Sequence, residues 1–412
     1  MMGLTVKLKY LFRFRTLSFF ILIGFLLVGC KYDASVGECG VTPISNVSGN
    51  IITFLNTDLD TIDFTTESSD TVNIIDMAKS FGITSAYEAN SDVNIINDLT
   101  YEKYNLTQNV NFYTSPNLDV KEIRTQKELN DIRNDLKGKY VLLDDIELDE
   151  AKGGFDTDGW IPINSFRGIF SGNNHKITNL WINRPTAEGV GFFSDIIYAH
   201  IKDLGVEIAE GKEIIGKNYI GAIAGKARYG YIKNSYSTGN IRGEGDSSST
   251  IVGGIAGYIS DSDIINSCSA GNISGNNYAL RDYVGGIAGQ TSFHINITNS
   301  YSTGNISGYN YVGGIAGSGG GNIGNSYSAG NIIGHDNIGG IAGYWESGYI
   351  TNSYSTGNIS GIMEVGGIAG SVRYAHIKSS YSTGNISGIV NVGKIIGSAF
   401  MGTCISNYCF FL

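Results

Sequence analysis

At 412 residues the chain is long enough for two or three ordinary domains or for one elongated repeat array. It holds 57 glycines and only four prolines, and the glycines recur with a period among Ile, Val and Tyr, the pattern of an ordered repeat rather than a solvated linker. A net charge of −10 counts against nucleic acid as a partner.

The N-terminus reads as an export signal, residues 1–29. Lys7, Lys9, Arg13 and Arg15 precede the apolar run LSFFILIGFLLVG, Leu17 to Gly29, which is too short to span a ~30 Å hydrocarbon core comfortably. Leu27-Val28-Gly29-Cys30 resembles the bacterial lipobox, which implies lipidation at Cys30. A plain signal peptide or an anchor helix with a chance cysteine is the competing reading. Removing residues 1–29, with four basic and no acidic side chains, takes the net charge from −10 to about −14. Each acyl CH₂ buried in a bilayer contributes roughly 0.8 kcal/mol, so the membrane contact would run through the lipid anchor. Lys31 follows the cysteine. By resemblance to lipoprotein sorting, that places the protein in the cell envelope, at the outer membrane or cell surface.

Besides Cys30 there are Cys39, Cys268, Cys404 and Cys409. An exported chain can keep a disulfide, so Cys404 and Cys409 are either a staple or two reduced thiols. No CxxC pair or His-Cys cluster has zinc spacing.

Residues 30–120 are rich in Asn, Asp, Ser and Thr with short apolar stretches such as NIITFL, and read as a tether and a small polar region of undefined fold. Residues 121–189 read as an N-terminal cap and first coils. In TQKELNDIRNDLKG, Thr125 and Glu128 stand at capping-box spacing, Leu129, Ile132 and Leu136 share a face, and Gly138 stands where a left-handed C-cap belongs. This predicts a short amphipathic helix that covers its own stripe and an open strand edge of the first coil. Strand candidates YVLLDDIEL (Tyr140 to Leu148) and FRGIFSG (Phe166 to Gly172) follow.

From residue 190 to 412 the chain repeats. A hexapeptide close to VGGIAG starts at Ile220, Val252, Val284, Val312, Ile338, Val365 and Val392, preceded by VGFFS at Val190; the steps are 30, 32, 32, 28, 26, 27 and 27. A second anchor, NSYS, places Tyr236, Tyr301, Tyr327, Tyr354 and Tyr381 in step, with Cys268 in the same slot and Tyr408 one step of 27 beyond Tyr381. Upstream, HIKDLGV and KITNLWI are aligned through Ile201 and Ile177. Two anchors that keep step describe one unit of about 27 residues.

The unit holds short β-branched and aromatic runs separated by glycines that permit tight corners, not long helical stretches. Three runs per unit fit one rung of a parallel β-helix, each strand ~4.8 Å from its counterpart. The fold class is therefore all-β: a β-solenoid with an N-terminal helical cap. Asn240, Asn272, Asn305, Asn331, Asn358 and Asn385 are expected to form an amide ladder at a corner. The two longest steps map to loops after Ile241 and Gly275. Burying about five aliphatics does not offset the ordering of a whole coil, so stability must come from stacking. Strict alternation would put Ile350, Asn352 and Tyr354 on one face, but Val365 and Ile368 are three apart, so a corner or bulge lies within the hexapeptide.

VGGIAG alternating with NSYSTGNISG resembles the GLUG motif, a repeat of bacterial surface proteins and of some secreted immunoglobulin-A-cleaving metallopeptidases. The resemblance covers about Phe166 to Tyr408 and implies a β-solenoid displayed outside the cell, often linked to adhesion. It does not imply the peptidase activity, because His175, His200, His294, His335 and His376 form no HExxH pair.

No catalytic, cofactor or metal site is expected. Asp336, Glu346 and Glu364 stand at unrelated repeat positions. DTDG at Asp156 lacks the remaining ligands of a calcium loop and reads as a solvated turn. The YAHIK segments at Tyr198 and Tyr374 read as repeated strand starts, and the GGIAG glycines match no phosphate cradle. The preferred reading is a lipid-anchored adhesion or interaction module that binds a surface protein or glycan of a host or neighbouring cell through a Ser/Thr/Tyr/Asn lattice. Alternatives are a polysaccharide lyase or glycoside hydrolase on the same scaffold, a passive spacer, and an ice-binding row at Ser302 and Thr303, the last disfavoured because Ser and Thr are adjacent and Ala replaces Thr at 270 and 329.

Overall fold

The computed structural model describes residues 120–401 apart from 245–248, 277–280 and 293, and the strand backbones Ile51–Phe54, Ile62–Thr65 and Thr403–Cys404. The leader, Cys30, Cys39, Tyr408 and Cys409 lie outside the described residues, so neither lipidation nor the Cys404–Cys409 staple is visible. The chain divides into two compact units. In the first, Ile51–Phe54 pairs antiparallel with Ile62–Thr65. The second is a parallel β-solenoid of about nine turns with coils of about 28 residues, close to the unit of about 27 read from the repeats.

Each coil visits three faces. In one coil, Ala369–Arg373 and Ala375–Lys378 lie on a wide face, Tyr381–Ser382 on a narrow face, and Ile386–Ser387 and Val390–Gly393 on a third. The hexapeptide anchor is in register throughout, from Val190 opposite Ile220 to Val365 opposite Val392. Tyr236, Cys268, Tyr301, Tyr327, Tyr354 and Tyr381 likewise form one continuous file. The two longest steps fall between flanking third-face strands, Asn240–Gly243 with Thr250–Gly253 and Ile273–Ser274 with Asp282–Gly285.

The interior is built from aliphatic files. In one coil Val312, Ile315, Ala316, Ile323 and Ile332 are all fully buried. Val312 and Ile315 face inward three residues apart because Gly313-Gly314 turns the chain between the third and wide faces, as the broken alternation requires. These glycines do not have positive φ; what they provide is clearance. A Cβ on Gly313 would lie 2.0 Å from the Ala316 carbonyl oxygen, and one on Gly314 2.0 Å from that of Gly340.

Positive φ falls instead on asparagine. Asn299 (φ 51°), Asn325 (51°) and Asn352 (50°) occupy the left-handed region at the corner leading into the narrow face. This corner resets the alternation, so Ile350, Ser353 and Ser355 are buried while Tyr354 stands half-buried on the outside. The Asn352 Nδ2 donates to Asn325 Oδ1 at 3.2 Å, Asn299 to Asn266 and Asn266 to Asn234 at 3.0 Å, an amide ladder one slot from the expected one. The GNI asparagines also form a ladder, mostly of another kind: from Asn240 to Asn358 each Oδ1 accepts the backbone N–H of the asparagine one coil on, as Asn305 does from Asn331 at 3.0 Å. Only Asn272 donates its side-chain amide as well, to Asn240 Oδ1 at 3.2 Å.

The serines of NSYS face inward, which corrects the expected exposed lattice and removes Ser302 from any ice-binding row. Ser326 Oγ donates to the Gly324 carbonyl at 2.9 Å and accepts Ser300 N–H at 3.2 Å, and Ser353 repeats both bonds one coil on. The second serine is inward because it alternates with the outward tyrosine, and it is small for lack of space: a Cβ on Gly314 would lie 2.5 Å from Ser328 Oγ.

At the N-terminal end Thr125 and Glu128 form the expected capping box on the helix Gln126–Asp131, with Leu129 and Ile132 fully buried. The helix is shorter than expected. A 3-10 turn, Ile132–Asn134, follows, and Gly138 is not a left-handed cap: it sits where a Cβ would meet the Asp135 carboxylate and the Tyr140 hydroxyl at 2.7 Å. The first coils are filled by Trp160, Phe166, Phe170, Phe192 and Phe193, all fully buried. Here the alignment of Ile201 with Ile177 fails. Ile201 pairs with Phe170 on the wide face, while Ile177 pairs with Val206 on the narrow one. An aromatic stands in the isoleucine file, so the matching aliphatic pattern was displaced by one face.

Candidate functional site

In every coil the residue that follows the hexapeptide's Ala-Gly points out of the wide face. Register brings Lys226, Tyr258, Gln290, Ser318 and Tyr344 into one outward file. Ser318 is the smallest of these and begins the glycine run Gly319 to Gly321, so one coil lacks the bulk its neighbours carry. The result is a saddle of about 540 Å³ crossing several coils.

Tyr219, at a left-handed corner (φ 55°), rises beside one end and meets Tyr258 edge to face, with centroids 5.9 Å apart. Lys226 Nζ lies 4.1 Å from the centre of the Tyr219 ring. Among the described residues Lys226 has no carboxylate within ion-pair distance, whereas Arg228 beside it is paired with Asp195. Burial, then the charge of Glu188, pushes the Tyr219 phenol above its ordinary pKa, so the ring is a neutral hydrogen-bonding group at physiological pH. The saddle floor carries Gln290, Thr291, Ser292 and Ser318. Thr291 Oγ1 donates to the Gly320 carbonyl at 3.0 Å and accepts Gly320 N–H at 3.2 Å, fixing the glycine run. Glu346 closes the far end, 3.6 Å from Arg373.

A second concavity of about 760 Å³ lies near the N-terminal end and gathers Glu147, Asp149, Glu150 and Glu210 around Trp181. Its groups are largely engaged. Lys212 Nζ sits 4.6 Å over the Trp181 ring, whose Nε1 donates to Glu150 at 3.0 Å. Glu147 accepts Asn179 Nδ2 at 3.0 Å, and the Ala151 N–H holds the Asp149 carboxyl below its usual range.

The residues weighed from sequence are dispersed. Asp336 lies half-buried on the third face, Glu364 occupies a left-handed corner (φ 53°), and of the three only Glu346 reaches the saddle. Asp156 is 2.6 Å from Arg184. Both YAHIK segments start wide-face strands with a left-handed tyrosine, Tyr198 and Tyr374. Sequence reasoning passed over Lys226, Tyr258 and Gln290; the signal was their constant place directly after the hexapeptide.

Residues 282–307 match the family model of the GLUG motif. The protein carries a GLUG-repeat β-solenoid. A stretch of 115 residues, 26% of the chain, is 32% identical to Halomucin of Haloquadratum walsbyi, and the chain spans about 1% of the length of that relative. Among solved structures, a chain from Bacteroides ovatus named as a candidate immunoglobulin A1 protease is 21% identical, with 66% of this chain and 84% of that one covered at a TM-score of 0.39. One named IgA1 Protease is 18% identical, with 68% and 21% covered at a TM-score of 0.44.

Proposed function

We propose that the protein is a surface-displayed interaction module, anchored through a lipid on Cys30, that binds a protein or glycan of another cell without catalysis. The observation that carries this reading is the saddle: one continuous face offers paired tyrosines, amide and hydroxyl groups and a lysine that has no carboxylate within ion-pair distance among the described residues, the mixture that specific ligand sites use. The inward serines and stacked glycines of the other faces serve the scaffold. The export-type N-terminus and the GLUG repeats support display outside the cell. Screening the full chain against matrix proteins and glycans, beside a Ser318→Trp variant that fills the saddle, tests it: ligands held by the wild type should be lost in the variant. Retention by the filled variant would count against the saddle.

The carboxylates around Trp181 favour a second reading, a glycan lyase or hydrolase. Release of new reducing or unsaturated ends from a polysaccharide panel, abolished by Glu210→Gln, would establish it over the first.

A further inference from the structure

We infer that the saddle takes an oligosaccharide with a single carboxylated sugar at one end and neutral sugars after it. The inference rests on the interaction reading above and deepens it. At the Lys226 end a cation lies beside two tyrosine rings; among the described residues no carboxylate is within ion-pair distance of it, and Asp195, its register neighbour, is held by Arg228. A carboxylate on a pyranose meets both needs: its charge pairs with the ammonium, and the C–H face of the ring packs on Tyr258. Along the next coils the floor turns to Gln290, Ser292 and Ser318, neutral donors and acceptors suited to sugar hydroxyls. From the Lys226 coil to that of Glu346 is four strand spacings, ~19 Å, room for several sugars in a row.

Charge decides between ligand classes. A polyanion with a carboxylate on every unit would carry charges past Lys226 into a saddle whose other charged groups, Arg228 and Glu346, are already held by Asp195 and Arg373, and would meet a chain whose net charge is −10. A ligand charged at one end only avoids both. A wholly neutral glycan would leave Lys226 without its partner.

The test uses the full chain with 3′-sialyllactose, lactose and polygalacturonate, read by titration calorimetry. Sialyllactose should bind most tightly and weaken with added salt. Lys226→Met should reduce its affinity about tenfold or more while leaving the weak binding of lactose unchanged, as expected for one charge-assisted contact. Tyr258→Ala should weaken both. Preference for polygalacturonate, no binding of sialyllactose, or affinity for it that survives both substitutions would overturn the inference. Protein or glycan ligands from the wider screen that persist in the Lys226 and Tyr258 variants would leave the interaction reading standing while this one falls. A polypeptide that binds and is lost in these variants would place a protein, not a sugar, in the saddle.

Discussion

Tyr327 lies flat on Tyr354, ring centroids 5.0 Å apart and planes 5° from parallel. The stack continues to Tyr301 at 4.8 Å and to Tyr381 at 5.2 Å, so four coils are clamped by one column of rings. Aromatic pairs contribute about 0.5–1.5 kcal/mol beyond the area they bury, and Tyr354 belongs to two of them. Tyr354→Ala should therefore destabilise the solenoid by about 1–3 kcal/mol in urea unfolding, and Tyr354→Phe by much less. Equal stability of the alanine variant would dismiss the column as a source of cohesion.

The left-handed asparagines give a separable pair of effects. Asn352→Ala pays the strain of φ 50° on a residue with a Cβ and loses the amide bond to Asn325, together about 2 kcal/mol. Asn352→Gly should lose only the second part, about 1 kcal/mol. If the two variants unfold at the same urea concentration, backbone strain is not what selects asparagine there.

Two serines two residues apart should respond oppositely. Ser326→Ala leaves the buried Ser300 N–H without an acceptor and should cost about 1–3 kcal/mol. The Ser328 hydroxyl is buried with no hydrogen-bond partner among the described residues, so Ser328→Ala should be neutral or stabilising. Thermal midpoints of the two variants on either side of the wild type, or the second level with it, are the expected result.

Asp282 carries a pH dependence. It is fully buried on the third face, accepting Tyr309 N–H at 2.7 Å and Asn276 N–H at 3.2 Å, and burial pushes its carboxyl up to about 7. Its folded pKa is thus above the unfolded value near 3.9, so the folded state holds a proton that the unfolded chain has released between these limits. The contribution of Asp282 to stability is fully present below pH ~4, falls as pH rises toward 7 and is lost above it, a change on the order of 2–4 kcal/mol. Urea midpoints should drop between pH 5 and pH 8 in the wild type, and Asp282→Asn should flatten that slope. An unchanged slope would remove Asp282 as its origin.

The spacing of VGGIAG and NSYS was enough to place the coil, its register and its tyrosine column, because each copy meets the same neighbours and keeps the same residues. The capping box at Thr125 was legible for a related reason: its bonds are local. What could not be read was set by contacts between coils. Strict alternation says nothing of a left-handed Asn352, and only the closeness of Gly314 explains why the inward residue Ser328 must be small. The first coils escaped because Phe170 and Phe193 fill slots that isoleucine and alanine hold later. The saddle was half-visible: the place after Ala-Gly is fixed, but its variety of Lys, Tyr, Gln and Ser looks like noise until the coils are stacked.

Because Val284, Val312, Ile338 and Val365 all sit over one another with interchangeable surroundings, a whole coil can be inserted or lost without disturbing those on either side. Copy number then sets reach: each duplication of some 27 codons lengthens the rod by ~4.8 Å and leaves its cross-section alone. The near-identical decapeptides at Asn299 and Asn352 are the places where such unequal exchange would occur, and because they bracket Ser318 and Glu346, a coil gained or lost there would change the length of the saddle as well as that of the solenoid.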